Sequence, residues 1–413
     1  MVDTLVPFLP AGARRFHVLS KPVGALCNLD CTYCYYLSKE QLLHQPVRPA
    51  MIDEVLEAFI EQYIAGNAGP EVVFTWQGGE PTLLGIEYFE KIVALQTKHS
   101  QPGRTIVNDL QTNGTRLDDD WCAFLKQHDF LVGLSIDGPA ELHDRFRTTK
   151  GGRPTHAAVM AAARLLQQHD IPFATLTCVN RVNARFPLEI YRFLTTELGA
   201  TRLQFLPVVE PRDFKTRSPG LHPLRSFPRI GTSSARPGTP DSVVEDWSVD
   251  ADEWGEFLVQ VFDQWCAHDV GRVLVNWFEN MVSVRLGYGA QMCVTNDFCG
   301  KNLAIEHDGS VFACDHYVYP EYRLGNIREE ALDTLAFSRA QVQFGIGKRE
   351  SLTDYCKACP HLKDCWGECP KNRLLSSPDG QPGLNYLCSG YRRFYGHAAP
   401  IVDRIVSALP GAR

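Results

Sequence analysis

The sequence lacks the features that mark membrane, secreted or nucleic-acid-binding proteins. No apolar run reaches the ~20 residues that a transmembrane helix needs. Residues 1–15 have no charged start followed by an apolar core, which argues against a secretory signal and predicts a loose leader. The net charge of -7, from 41 basic and 48 acidic residues, provides no basic surface for nucleic acid. We therefore expect a cytoplasmic protein.

Cysteine, by contrast, is abundant. In a reducing compartment the 14 cysteines are expected to bind metal rather than form disulfides. Cys27, Cys31 and Cys34 follow a C-x3-C-x2-C spacing, and the neighbouring Tyr33, Tyr35 and Tyr36 would shield a metal site. Thiolates hold iron–sulfur clusters, and three of them leave one iron of a 4Fe–4S cluster open to another ligand. A partial zinc knuckle or chance clustering are the alternatives.

A second group of eight cysteines lies near the C-terminus. Its members are Cys293, Cys299, Cys314, Cys356, Cys359, Cys365, Cys369 and Cys388. Eight thiolates match two fully ligated four-iron clusters, but two structural zinc ribbons are a competing assignment that spacing does not exclude. The remaining Cys122, Cys178 and Cys266 lie inside apolar segments and are expected to be small core residues.

Apolar β-branched runs alternate with amphipathic segments between residues 16 and 210. The predicted strands are residues 17–21, 71–76, 105–111, 131–136, 173–179 and 202–208. The predicted helices lie near residues 52–65, 84–98, 118–128, 155–168 and 187–198. This alternation implies parallel strands with right-handed crossovers, and six units rather than eight predict a partial α/β barrel. Chemistry in such folds gathers at the carboxyl ends of the strands.

Glycine-rich and polar turns follow several of these strands. Gly78, Gly79 and Glu80 come after the second strand, where adjacent glycines let a ligand approach the backbone. A tight strand-to-helix connection is the alternative. Ser135 lies in the fourth strand, and Arg147 farther on could bind a carboxylate through two hydrogen bonds, although a lone arginine is more often a surface residue. The sequence predicts that these residues and the three-cysteine motif share one rim.

The second half of the chain is less regular. Residues 211–247 hold six prolines without periodicity, which predicts a surface loop or disordered insertion that could serve as a lid. Residues 248–292 are predicted to form a helical bridge to a cysteine-rich domain over residues 293–413. Asp315 follows Cys314 directly, so its carboxylate could accept a proton near a metal. An exposed turn aspartate is the alternative.

These motifs resemble those of the radical S-adenosylmethionine superfamily, and the eight-cysteine pattern resembles its SPASM domain. More closely, the sequence resembles the anaerobic sulfatase-maturating enzymes over nearly the whole chain except about residues 211–247. The similar segments are residues 21–31, 77–83, 110–115, 132–139 and 314–315. The resemblance implies a partial (β/α)6 barrel followed by a SPASM domain with two auxiliary clusters.

The resemblance also assigns roles to individual residues. The cluster on Cys27, Cys31 and Cys34 would bind S-adenosylmethionine at its open iron. The implied cofactor contacts are Tyr33, Gly78, Gly79, Glu80, Ser135, Arg147 and, near the adenine, Val209. One auxiliary cluster would take Cys293, Cys299, Cys314 and Cys369, and the other Cys356, Cys359, Cys365 and Cys388. Asp315 matches the general base, and Gln77 and Tyr36 lie where substrate approaches.

The implied reaction oxidises a cysteine or serine of an unfolded sulfatase, within a Cys/Ser-x-Pro-x-Arg motif, to Cα-formylglycine. Reductive cleavage of S-adenosylmethionine gives a 5′-deoxyadenosyl radical that takes a hydrogen from the substrate Cβ. Asp315 then removes the thiol or hydroxyl proton, and an auxiliary cluster takes the second electron. The expected electron donor is a flavodoxin- or ferredoxin-type protein, and neither nucleic acid nor membrane is an expected partner.

Two other functions are compatible with the sequence. A different SPASM enzyme could form thioether or carbon–carbon crosslinks in a ribosomal peptide, although such systems often carry an added peptide-recognition domain for which the short leader leaves no room. A non-catalytic zinc or iron–sulfur protein, such as an electron carrier, is the second alternative.

Overall fold

The computed structural model describes residues 14–223 and 227–408, so the predicted leader over residues 1–15 lies almost entirely outside the described residues. The strands are β1 (His17–Lys21), β2 (Glu71–Trp76), β3 (Thr105–Thr112), β4 (Leu131–Ser135), β5 (Phe173–Val179), β6 (Arg202–Pro207), β7 (Leu274–Val275), β8 (Asn302–Glu306), β9 (Ser310–Phe312), β10 (Arg323–Asn326), β11 (Leu375–Ser376) and β12 (Pro382–Leu384). The α-helices are α1 (Lys39–Leu42), α2 (Asp53–Gly66), α3 (Ile86–Lys98), α4 (Asp119–Gln127), α5 (Ala140–His143), α6 (His156–Gln168), α7 (Pro187–Arg192), α8 (Ala251–His268), α9 (Asn276–Arg285), α10 (Leu332–Ala336), α11 (Arg339–Glu350), α12 (Asp354–Lys357), α13 (Leu362–Cys365) and α14 (Cys388–Ser407).

The predicted barrel strands correspond to β1–β6, and each forms within one residue of its predicted ends. The helix predicted over residues 187–198 is α-helical only as far as Arg192 and continues as a π-helical turn, Phe193–Glu197. There the Thr195 hydroxyl donates a hydrogen bond to the Tyr191 carbonyl at 2.8 Å. Back-bonding of this kind competes with the regular helix ladder and bends helices.

The chain forms two compact units, and the first comprises residues 14–135, 147–173 and 300–345 of the described chain. Its strands lie in the order β10-β9-β8-β1-β2-β3-β4. β1 pairs in parallel with both β2 and β8, through Val18 opposite Phe74 and Leu303, whereas β9 and β10 are antiparallel to their neighbours. Because β1 is paired on both sides, the cysteine loop that leaves it lies in the middle of the sheet edge.

Aromatic side chains form much of the core beside this sheet. Phe59, Phe74, Trp76 and Phe89 are fully buried. Phe74 and Trp76 stack with ring centroids 5.7 Å apart, and Phe59 meets both rings edge-on. Such pairs add about 0.5–1.5 kcal/mol each beyond the area they bury, which favours a rigid support for the strand ends.

The second unit comprises residues 136–146, 174–299 and 346–408, apart from residues 224–226. Here β5, β6 and β7 are parallel neighbours, and β11 pairs with β12. Helices α8 and α14 approach closely at Gly255 and Gly390, where a Cβ on Gly390 would lie 2.0 Å from the Ala251 carbonyl oxygen. None of the helices in the described residues combines the length and apolar character needed to cross a membrane.

The segment predicted as a loop or disordered insertion is packed where it is described. Val244 and Phe214 are buried, and the Glu245 amide donates to the Glu210 carbonyl. The Arg212 guanidinium donates to the Ser242 and Thr239 carbonyl oxygens, each at 2.9 Å. Side-chain bonds to backbone carbonyls replace the ladders of regular secondary structure here, which is why periodicity did not reveal this packing.

Candidate active site

The three-cysteine motif forms a tight turn directly after β1. The Cys34 amide donates to the Cys31 carbonyl at 2.9 Å. The Leu29 amide donates to the Cys27 sulfur at 3.4 Å, and the side-chain amide of Asn113 approaches the same sulfur at 3.8 Å. N–H groups directed at sulfur stabilise a thiolate, as iron ligation requires.

Burial and nearby charges shift the pKa values of these thiols in opposite directions. Burial raises the pKa of Cys27 to about 12 and also raises the pKa of Cys34. At Cys34 this rise is opposed by backbone hydrogen bonds and by the positive charges of Arg147 and Lys21. Protein sites of this kind hold deprotonated thiols once a metal binds, because the positive charge of the metal outweighs the cost of burying a thiolate.

Gly79 connects the cysteine loop to the end of β2 through backbone hydrogen bonds and a close backbone approach. Its amide donates to the Gly24 carbonyl at 2.8 Å, and the next amide, of Glu80, donates to the Leu26 carbonyl at 2.9 Å. A Cβ on Gly79 would lie 1.8 Å from the Leu26 carbonyl oxygen. Only glycine permits this approach, so the motif positions the residue that immediately precedes Cys27.

The Glu80 side chain extends this support to the third strand. Its carboxylate is 1% exposed and accepts hydrogen bonds from the Thr82 amide and hydroxyl, the Thr112 hydroxyl and the Asn113 amide. Burial raises the pKa of Glu80 despite these bonds. Glu80 thereby ties β2 to the turn after β3, whose Asn113 in turn bonds Asn28 of the cysteine loop at 2.9 Å.

The other predicted cofactor contacts lie at strand ends. Ser135 ends β4, and Val209 is buried just beyond the end of β6, in the second unit. Arg147 is only 7% exposed, and its guanidinium carbon lies 5.6 Å from the centre of the Tyr33 ring. A cation–π contact in a desolvated setting contrasts with the surface role that a lone arginine most often has.

Asp315 lies in a buried charge network rather than in an exposed turn. It pairs with Lys21, the last residue of β1, and accepts a hydrogen bond from the Tyr35 hydroxyl. Burial alone would raise the pKa of Asp315, but Lys21, His316 and the hydrogen bonds from Lys21 and Tyr35 hold the pKa of this carboxyl below its ordinary value. The group is therefore a carboxylate, the form that accepts protons.

The two residues predicted to meet substrate lie beside this pair. Gln77 donates its backbone amide to the Ser20 carbonyl at 2.9 Å, which aligns it with the end of β1. The Tyr36 ring lies under the Lys21 ammonium at 4.4 Å, and its hydroxyl bonds the buried carboxylate of Glu306. The Tyr36 hydroxyl is thus already engaged by the protein.

Sequence reasoning missed three members of this network: Lys21, Tyr35 and Glu306. Lys21 ends β1, and a lysine that is 1% exposed requires a partner of opposite charge or polarity. That position was the available signal. Tyr35 was expected only to shield the metal, and Glu306 lies in a short strand whose pairing with β1 the sequence did not reveal.

In the second unit, Cys356, Cys359, Cys365 and Cys388 line one cavity together with Tyr391 and Tyr395. These are the four cysteines predicted to share an auxiliary cluster. Cys293, Cys299 and Cys369 also lie in this unit, and their mutual charges contribute to raising the pKa of Cys299 and Cys369 beyond the effect of burial. Cys314 belongs to the first unit.

All 14 cysteines lie in described residues and are free thiols. Cys122, which was expected to be a core residue, is fully buried, whereas Cys178 and Cys266 are partly buried. Within residues 14–223 and 227–408, no group of three or more His, Cys, Asp or Glu side chains is arranged to hold a single metal ion.

Comparisons with known proteins agree with this organisation. Residues 22–194 match the radical SAM superfamily, and residues 297–360 match an iron–sulfur cluster-binding domain, SPASM. The chain is 40% identical over 400 residues to a serine-type anaerobic sulfatase-maturating enzyme of Bacteroides thetaiotaomicron, covering 97% of this chain and 92% of the relative. It is 33% identical to the cysteine-type enzyme of Clostridium perfringens over 394 residues, 95% of this chain and 98% of the relative.

A solved structure is similar over nearly the full length of the chain. Native anSMEcpe with bound AdoMet and Kp18Cys peptide superposes with a TM-score of 0.81 at 31% identity, covering 95% of this chain and 99% of that one. The fold and the site therefore define a radical S-adenosylmethionine enzyme with a SPASM domain. Within that class, the chain belongs to the anaerobic sulfatase-maturating enzymes. The predicted family, fold class and enzyme class are confirmed, and the non-catalytic zinc or electron-carrier alternative is wrong.

Proposed function

We propose that this chain oxidises the target cysteine or serine of a sulfatase polypeptide to Cα-formylglycine, using S-adenosylmethionine and three 4Fe–4S clusters. The observation that carries the proposal is the buried pair of Asp315 and Lys21. Lys21 ends the strand from which the three-cysteine loop departs, so a proton acceptor and the motif for radical generation belong to one unit of the fold.

The cysteines present fit the clusters that the family uses. For the first cluster the ligands are Cys27, Cys31 and Cys34, supported by N–H groups directed at sulfur. For one auxiliary cluster the ligands are the four cysteines of the common cavity: Cys356, Cys359, Cys365 and Cys388. For the other, Cys293, Cys299 and Cys369 are supported by their mutual electrostatic influence, and Cys314 is assigned by the family resemblance alone.

The residues proposed to hold S-adenosylmethionine are Tyr33, Gly78, Gly79, Glu80, Ser135, Arg147 and Val209. When bound and reduced, this cofactor supplies a 5′-deoxyadenosyl radical that removes a hydrogen atom from the substrate Cβ. Arg147 is suited to bind the cofactor carboxylate, because its buried guanidinium remains charged and presents paired donors. The buried Glu80 carboxylate supports the cofactor site indirectly, because its hydrogen bonds with Thr112 and Asn113 hold the turn after β3.

Asp315 has the role of general base. The target side chain loses one hydrogen atom, one proton and one electron. Asp315 accepts the proton from the thiol or hydroxyl, and the auxiliary clusters, when bound, would supply the acceptor for the electron. Serine then gives the aldehyde directly, whereas the thioaldehyde from cysteine exchanges sulfur for oxygen with water. Lys21 and Tyr35 hold the carboxylate in position, and Gln77 and Tyr36 flank the approach of the peptide.

Further partners follow from this chemistry. A flavodoxin- or ferredoxin-type protein is proposed to deliver the electron that the cofactor consumes. A cytoplasmic location is proposed because 14 free thiols and oxygen-sensitive clusters require a reducing compartment.

The test is anaerobic incubation of the reconstituted enzyme with paired sulfatase-derived peptides that carry either cysteine or serine in the Cys/Ser-x-Pro-x-Arg motif. Formation of an aldehyde, captured by a hydrazide and measured by mass, supports the proposal. A crosslinked peptide without an aldehyde would instead identify a ribosomal-peptide modifier, and an unmodified peptide despite 5′-deoxyadenosine release would exclude sulfatases with this motif as substrates.

A further inference from the structure

Lys348 is a buried cation on α11 that the reaction described above does not use. Its side chain is 1% exposed. The ammonium donates hydrogen bonds to the backbone carbonyl oxygens of Cys293, at 2.9 Å, and Val294, at 2.7 Å. Both carbonyls belong to the short turn that carries the first auxiliary cysteine, so Lys348 fixes the backbone of that turn.

The charge of Lys348 lacks the usual compensation. Among the described residues, no carboxylate lies within ion-pair distance of its ammonium, which contacts only neutral carbonyl groups. Lys371 in the same unit shows the ordinary arrangement: it is also buried, and its ammonium lies 2.5 Å from the Glu210 carboxylate. Burying an ammonium without an anion is costly, so a site that retains one is built around a negative charge.

The cysteines beside Lys348 provide that negative charge once they hold a cluster. Four thiolates around a four-iron core carry net negative charge, and net charge is one determinant of the reduction potential.

We propose that Lys348 is the buried counter-charge of the auxiliary cluster whose assigned ligands include Cys293, Cys299 and Cys369, and that it raises the reduction potential of that cluster. This inference rests on the cluster assignment in the proposed function. Reduction adds one negative charge to the cluster, and a nearby fixed positive charge favours the reduced state. Lys348 is therefore a positioning and tuning residue that makes this cluster a better acceptor for the electron released by the substrate.

The test compares three single variants of the full chain in a background in which Cys27, Cys31 and Cys34 are replaced by alanine, so that only the auxiliary clusters remain. Lys348→Met removes the charge and keeps the length, Lys348→Arg keeps the charge, and Arg349→Met removes an equal charge from the exposed face of the same helix. Redox titration followed by electron paramagnetic resonance gives the midpoint potentials.

Lys348→Met is expected to lower one midpoint potential so that the oxidised-to-reduced ratio at the original midpoint rises at least tenfold, which is about 59 mV for one electron. Lys348→Arg and Arg349→Met are expected to shift both midpoint potentials by much less than this, relative to the parent chain. If Lys348→Met binds less iron, Lys348→Gln provides the same measurement, because its side-chain amide is neutral and carries two N–H donors.

Unchanged potentials in a neutral variant that retains both auxiliary clusters would overturn the inference. Loss of a cluster from Lys348→Arg as well as from both neutral variants would also overturn it, since packing rather than charge would then be the cause. These results differ from a failure of the proposed function, which would appear in the parent chain as missing auxiliary clusters or as no aldehyde in the peptide.

Discussion

Replacing Asp315 by asparagine tests the proposed base with almost no change in shape. The amide cannot accept the substrate proton, and general base catalysis typically contributes 10²–10⁴-fold to a rate, so we expect formylglycine formation to fall by at least about 100-fold. Cleavage of S-adenosylmethionine does not need this proton transfer and should continue. The variant should therefore release 5′-deoxyadenosine without a matching yield of aldehyde.

The same substitution also has a cost in stability that the assay must separate from catalysis. Lys21 is 1% exposed and pairs with Asp315, whose side chain is 13% exposed. Removing one partner of a buried ion pair leaves the other charge uncompensated, which typically costs about 3–5 kcal/mol. The Asp315→Asn variant should accordingly unfold at lower denaturant concentration than the wild type.

A second substitution separates the two effects. In the double variant Lys21→Met/Asp315→Asn the buried ammonium is gone, so most of the lost stability should return while formylglycine formation stays low. Glu321→Gln removes an exposed carboxylate from the same stretch of chain and should change neither property. Aldehyde formation at the wild-type rate in Asp315→Asn, or recovery of activity together with stability in the double variant, would refute the assignment.

Two further predictions concern Gly79, which supports the cysteine loop, and Asp109 in β3. Gly79→Ala should lose about four irons per chain and S-adenosylmethionine cleavage, because its Cβ would meet the Leu26 carbonyl oxygen at 1.8 Å, whereas Gly347→Ala meets no atom within 4 Å and should keep full iron content. Burial raises the pKa of Asp109 to about 6. Between pH ~4 and ~6 the folded chain therefore retains a proton that the unfolded chain releases. The free energy of unfolding consequently falls as the pH rises through this range. Asp109→Asn should therefore be more stable than wild type by up to ~3 kcal/mol above pH ~6 and nearly equal to it at pH ~4 in denaturant titrations. The lowered pKa of buried His17, at about 4, acts in the opposite sense but is common to both proteins, so an equal difference at both pH values would contradict the assignment to Asp109.

Local pattern was sufficient to predict the barrel strands and to separate the three-cysteine motif from the eight C-terminal cysteines. β-branched apolar runs such as Glu71–Trp76 favour buried strands wherever they pair, and a C-x3-C-x2-C loop is constrained by its own spacing. The four cysteines of the common cavity were assigned by family resemblance, since their spacing is compatible with more than one pairing.

The sequence alone did not predict the contacts between residues that are far apart in the chain. The pairing of β8 with β1 joins segments from opposite ends of the chain, and nothing in the short apolar run Asn302–Glu306 specifies its partner. The Lys21–Asp315 pair depends on that pairing, so the base could be predicted while its partner was missed. The packing of residues 211–223 and 227–247 rests on side-chain to backbone bonds, which leave no periodic pattern.

In the proposed reaction the target residue loses a Cβ hydrogen atom to the cofactor-derived radical and becomes an aldehyde. A serine or cysteine peptide that carries two deuterium atoms at that Cβ reports on both events. The proposal predicts that one deuterium appears in 5′-deoxyadenosine, that the other remains on the aldehyde carbon of formylglycine, and that the two products form in equal amounts. Unlabelled 5′-deoxyadenosine, or label transfer that ends in a crosslink without an aldehyde, would contradict it.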